Sequence, residues 1–192
     1  MDPDHDTAPD TRVPLPDSSA VVEAAPELFD SLAIDDLHVA RAMGNDPTVF
    51  AGLLEYLDVL YAALPERTRE LAILAAARAL DDRYEWHQHV FEAREAGLSL
   101  ATIRAIGRDE TDPLADDATA LVAYVRAYCD RAVTDTIHER ATAHYEPAEL
   151  VAIALLVSHY VGTGLFIDAM GVTPETAFVG WEPTERDLER VD

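Results

Sequence analysis

The chain has 192 residues, 49% of them apolar, enough for one domain with its own core or for a smaller domain with tails. Asp and Glu number 37 against 14 basic residues, every one of them Arg, for a net charge of −23. Such a surface repels a phosphate backbone, which excludes nucleic acid as a partner. It also repels itself unless molar salt shortens the Debye length to about 3 Å, so the composition reads as adaptation to a salt-filled cytoplasm. A GC-rich genome would account for the missing Lys but not for the carboxylate excess.

In chain order, residues 1–25 are rich in Asp, Pro, Thr and Ser and are expected to form an acidic flexible tail unless an oligomer partner pins them. Their opening, Met1-Asp2-Pro3-Asp4-His5-Asp6, lacks the basic and then apolar order of a signal peptide, so the expected location is cytoplasmic. A helical domain follows over residues 26–172. Ala33–Met43 is its first short helix, closed by Gly44. Asp46-Pro47 is an N-cap with Pro at the first helical position, and Val49, Leu53, Leu54, Leu57, Leu60 and Tyr61 then form an apolar stripe through Leu64. Pro65 starts a helix running to about Leu80. Asp82 caps the next, which Gly97 ends, and Ser99 caps Leu100–Ile106 with Gly107 behind it. After the polar connector Arg108–Pro113 come helices over Leu114–Ala132 and Thr134–His144, and a long one from Pro147 to Met170, stopped by Gly171.

No alternating pattern of strand length occurs, which predicts an all-α bundle of seven or eight helices. The apolar run Leu150–Val157 is followed by Ser158, His159 and Tyr160, so no stretch is expected to reach the roughly 18 residues of a bilayer span, and no membrane is expected as a partner. Residues 173–192, with Phe178, Val179 and Trp181 among acidic neighbours, form an acidic strap or tail. Cys129 is alone, which excludes an intrachain disulfide or a two-thiol centre, and its helical context makes it a small core residue.

The chemistry concentrates between Glu66 and Gly97. In Tyr84-Glu85-Trp86-His87-Gln88-His89, Glu85 and His89 are four apart and share a helix face, where a carboxylate and an imidazole can meet. Glu70 adds a carboxylate to the otherwise apolar stretch Leu71–Ala79, where burial demands a partner. A surface ion pair is the plainer reading of Glu85 and His89. His87 lies about 200° round the helix from both, so His-x-His is no clamp. Neither a Glu-x-x-His repeat nor His-Glu-x-x-His occurs, and no metal or other cofactor is expected.

These residues resemble the carboxymuconolactone decarboxylase superfamily, which includes the alkylhydroperoxidase D proteins. There a Glu at an Arg-Glu-Leu-like helix start precedes C-x-x-C-x-x-x-H and a later Gly. Here Glu70, His89 and Gly97 match those landmarks over about residues 35–172, while the two Cys positions hold Asp82 and Glu85. The chain is therefore similar to the decarboxylase branch, with Glu-x-x-x-His, and the resemblance implies an alkylhydroperoxidase D-like helical bundle without the thiol relay. It implies His89 as general acid or base, with Glu70 and Glu85 as orienters and proton partners, acting without cofactor on a small carboxylated lactone or related acid. Arg67 or Arg69 would hold substrate carboxylates, and Tyr84 and Trp86 would line the pocket; surface ion pairing and core packing are the plainer roles. A carboxylate pair buried there would raise the pKa of one member. The last helix could bring His159 and Tyr160 toward the site, although a core position is the simpler reading. The resemblance further implies a homotrimer or homohexamer, with Gly162 and Gly164 on the last helix allowing close approach. Two other readings stay open: a non-catalytic ligand-binding or scaffold protein on the same fold, and a peroxidase using Cys129.

Overall fold

The computed structural model describes residues 11–17 and 37–188. Among them are eight α-helices, a final 3-10 turn and no strand, so the fold is all-α, as the absence of alternating patterns predicts. The helices are α1 His38–Met43, α2 Pro47–Ala62, α3 Glu66–Ala79, α4 Arg83–Glu95, α5 Leu100–Gly107, α6 Asp116–Cys129, α7 Asp135–Thr142 and α8 Pro147–Met170. Of the first expected helix, residues 33–36 lie outside the described residues.

Caps set most boundaries. Side chains of Asp46, Asp82, Ser99 and Thr134 accept the backbone N–H groups of Val49, Glu85, Thr102 and Ile137 at the starts of α2, α4, α5 and α7. Gly97, at φ +86°, takes the left-handed position that ends α4. Asp81 and Arg131 take the same conformation after α3 and α6, at φ 55° and 56°, where a side chain is tolerated less well. The turn at Arg131 ends α6 at Cys129, short of the expected Ala132.

The contacts divide the chain into two units whose break falls within α2 and α8. One comprises the described residues up to Asp58 with Leu165–Thr176. Its apolar centre is Ala40, Phe50 and Leu54, flanked by Leu37, Met43, Leu53 and Leu57. Residues 11–17, the described part of the stretch expected to be a tail, are tied down here. Arg12 donates to the carbonyls of Asp168, Ala169 and Met170, capping α8, and Arg41 donates to those of Leu15 and Pro16. The remainder of residues 1–25 lies outside the described residues.

The second unit, Val59–Gly164 with the described residues from Ala177 to Leu188, is built around α3. Every residue from Glu70 to Ala77 is buried, so this helix is enclosed on all sides. Its Ala residues keep it thin, and α4, α5 and α6 pack on it. Ile153, Leu156, Val157 and Tyr160 of α8 complete the same core. The segment after Ala177 packs as a strap. Trp181 meets Trp86 edge-on at 5.1 Å and Phe178 at 5.2 Å, and Gly180 O accepts the Trp86 indole N–H at 2.9 Å.

The expectation about apolar length fails for α8. Its best 18-residue window has a mean hydropathy of 2.0, so by length and composition it could cross a bilayer; Ser158, His159 and Tyr160 interrupt the run without lowering its mean enough. In this fold 44% of that window is buried inside the chain. Gly164 makes room for the start of α4: a Cβ there would lie 2.6 Å from Asp82 Oδ2. Gly162 faces open space.

Candidate acid–base site

Glu70, Glu85 and His89 converge in the second unit. Glu70 follows the first turn of α3 and is 1% exposed. Across the α3–α4 packing, His89 donates its Nδ1–H to Glu70 Oε2 at 2.8 Å; the other carboxylate oxygen, Oε1, accepts from Arg69 Nε at 2.9 Å. Glu85, one turn before His89 on α4, brings its Oε2 to 3.6 Å from Nε2, an ion-pair contact. The three side chains therefore sit within proton-transfer reach, enclosed by α3, α4 and α8.

The electrostatics follow from this packing. Burial alone would raise the pKa of Glu70, but the charge and hydrogen bond of His89, seconded by Arg69, outweigh it and hold the carboxyl below its ordinary value. Glu70 is therefore not the raised member of the carboxylate pair, because it faces two cations. Burial alone would also depress His89, yet Glu70 foremost, then Glu85 and Glu92, raise it. The pair favours a carboxylate against an imidazolium.

Two phenols complete the site. The Tyr160 hydroxyl lies 2.9 Å from His89 Nε2, and the Tyr61 hydroxyl makes a short hydrogen bond to that of Tyr160. Burial, the dominant cause, pushes both phenols far above their usual range. The guanidinium of Arg69 stacks over the Tyr61 ring, 4.4 Å from its centroid. His159 packs edge-on against Tyr160 and is lowered to about 4 by burial and by the charge of His89. Tyr61 is legible in the sequence only as one more member of an apolar stripe, and Tyr160 only as a residue of the last helix within reach of the site. The signal that could have found them is a hydroxyl carried into an otherwise apolar face, which demands a buried partner.

The remaining expected site residues lie elsewhere. Arg67 is exposed and pairs with Asp117 at 3.2 Å. Trp86 is fully buried and taken up by the strap. Tyr84 is buried about 140° round α4 from His89. His87 turns to the strap, where its Nδ1 accepts the Val179 N–H at 3.1 Å. Cys129 lines a separate cavity of about 520 Å³ with Tyr124, Tyr128, Arg131, Val133, Ser158 and Val161, and burial raises its thiol to about 11. Among the described residues, no group of three or more His, Cys, Asp or Glu is arranged to hold a metal ion.

The helix order and the α3–α4 site define an alkylhydroperoxidase D-like fold. A peroxidase-related protein from Ralstonia eutropha JMP134, an alkylhydroperoxidase AhpD core, superposes with a TM-score of 0.74 at 18% identity, covering 92% of this chain and 100% of that one. The debrominase Bmp8, as a cysteine-to-alanine variant in complex with 2,3,4-tribromopyrrole, superposes with a TM-score of 0.70 at 15% identity, covering 86% of this chain and 91% of that one. None of the curated proteins matches the sequence. Residues 47–127, a segment that holds Tyr61, Glu70, Glu85 and His89 but not Tyr160, match the carboxymuconolactone decarboxylase family.

Proposed function

We propose that the protein is a cofactor-free proton-transfer enzyme, a decarboxylase acting on a small carboxylated lactone or related acid. The observation that carries this reading is the buried Glu70–His89 pair, 2.8 Å long, with Glu85 beside the far ring nitrogen. Loss of CO2 breaks a carbon–carbon bond and leaves its electron pair on the substrate as a carbanion or enolate. An imidazolium stabilised by Glu70 is suited to protonate that centre, and Glu85 to pass the proton on. Arg69 rather than Arg67 suits the role of carboxylate anchor: its Nε is held by Glu70, while Arg67 is engaged with Asp117. Assembly into a homotrimer or homohexamer belongs to the same proposal.

The test is release of CO2 from carboxymuconolactone by the purified chain in molar salt. A His89→Gln variant with an unchanged circular dichroism spectrum is expected to lose at least a hundredfold in turnover. Absence of turnover on carboxylated lactones and on β-keto acids by the unaltered chain overturns the reading.

One observation favours a second reading, a binding or scaffold protein. Both ring nitrogens of His89 are engaged inside the protein, as in a purely structural network. Peroxidase chemistry has less support, since Asp82 and Glu85 occupy the motif's thiol positions and Cys129, raised to about 11, is mostly un-ionised at neutral pH.

A further inference from the structure

Two phenols stand in series on the Nε2 side of His89. Tyr160, 5% exposed, meets the imidazole edge-on, ring centroids 5.0 Å apart at 88°, with its hydroxyl 2.9 Å from Nε2. Beyond it the Tyr61 hydroxyl closes on the same oxygen. The order of donors follows from the far end. Glu70 Oε2 takes the Nδ1–H, so in the neutral imidazole Nε2 carries a lone pair and Tyr160 must donate to it. The Tyr160 oxygen can then accept, and Tyr61 donates. Satisfying a buried phenol takes one partner; Tyr160 has two, arranged head to tail. Tyr61 keeps part of its surface open, under the stacked guanidinium of Arg69.

We infer that Tyr61 and Tyr160 form a two-hydroxyl proton relay between His89 and the open edge of the site at Tyr61. In one passage Tyr160 gives its hydroxyl proton to Nε2 while taking that of Tyr61, and Tyr61 is reprotonated by a hydrated proton, which becomes water. Three O–H or N–H bonds form, three O–H bonds break, no electron changes hands, and the imidazolium keeps its Nδ1–H on Glu70. Because both phenols hold their protons far beyond neutral pH, neither needs to stand as a phenolate along the way. The purpose of the relay rests on the acid–base reading above: it reloads His89 after a proton has left on the Glu85 side, where Oε2 is 3.6 Å from Nε2. Its geometry does not depend on that reading. Tyr160 and Tyr61 act through His89 and are positioning residues.

The closing experiment measures exchange of the His89 Nε2 proton of the imidazolium with water by nitrogen-15 NMR in the full chain, with Tyr160→Phe and Tyr61→Phe beside it. Each substitution keeps the ring and removes one hydroxyl. Exchange slowed at least tenfold in both, at unchanged circular dichroism, supports the relay. Exchange at the unaltered rate or faster in either folded variant overturns it, and if Tyr160→Phe fails to fold, Tyr61→Phe alone decides. Turnover separates the two readings. Slowed exchange in a chain that decarboxylates nothing keeps the relay and sinks the enzyme, whereas full turnover in a slow-exchanging variant overturns the reloading role.

Discussion

Glu70 stays ionised in the core because two cations face it, and removing its charge has a defined consequence. In Glu70→Gln the His89 ring stays buried and loses its chief counter-charge, so the imidazole pKa should fall below its ordinary value. Stability should drop by roughly 3–5 kcal/mol, the usual result of breaking a buried pair from one side; denaturant unfolding and an NMR titration of His89 measure the two effects. The pH dependence of the intact pair follows from the two directions. His89, raised in the folded state, contributes stability that is fully present below its unfolded value near 6.5 and is lost as pH rises through the folded value. Glu70, lowered, contributes stability present above its unfolded value near 4.5 and lost as pH falls through the folded one. Their joint contribution is therefore complete between about pH 4.5 and 6.5. His159 opposes this. Lowered to about 4, it is buried neutral, and between 6.5 and 4 the unfolded chain binds the extra proton, at a cost of roughly 2 kcal/mol by pH 5. His159→Gln should flatten that acid limb. Unfolding midpoints at pH 5 and 7.5 that differ as much in the variant as in the unaltered chain would remove His159 from the account.

At the scale of elements, Gly107 shows how the strap is held. It closes α5, and a Cβ there would fall 1.8 Å from the carbonyl oxygen of Trp181, so backbone must move. Gly107→Ala should therefore lift the Trp181 corner off Trp86, red-shift and quench tryptophan emission, and cost about 1–3 kcal/mol, the range for overpacking. An unchanged emission spectrum would show that the strap tolerates the methyl. The sequence displays the glycine but not this contact, because a close approach between residues 74 apart leaves no local pattern. What it does display is punctuation. Asp46-Pro47, Asp82, Ser99, Thr134 and Gly97 act through side chains or φ values within three or four residues, so the boundaries they set are legible. The end of α6 was not, since Arg131 adopts a left-handed conformation that its identity does not favour. The site divides in the same way. Glu85 and His89 follow from one helical period, and Glu70 from being a charge in an apolar run. Tyr61 and Tyr160 come together only through packing of helices 99 residues apart in sequence, and α8 reads as interrupted because Ser158, His159 and Tyr160 break its apolar run while its mean hydropathy stays at 2.0.

For the whole molecule the governing quantity is charge. Ion pairs such as Arg67–Asp117, Arg108–Glu182 and Arg94–Glu185 use several of the 14 arginines, yet 37 carboxylates leave a net −23 that folding brings closer together. Self-repulsion of that kind penalises the folded state more than the expanded chain, and salt relieves it as the Debye length falls from about 10 Å at 0.1 M to about 3 Å at 1 M. The thermal midpoint should therefore rise steeply between 0.1 and 1 M potassium chloride and then level off. Exclusion of a kosmotropic salt from the surface would instead keep raising it at higher concentration, and sulfate serves as that comparison. Neutralising the exposed residues Glu55, Asp58, Asp112 and Glu139 to their amides takes the charge from −23 to −19 without touching the core or the site. If repulsion sets the salt dependence of the midpoint, this fourfold variant should gain most at 0.1 M and least at 1 M, so that its midpoint curve is shallower than that of the unaltered chain. Parallel curves would mean that salt acts through hydration of the apolar core, and the carboxylate excess would then have no part in the protein's stability.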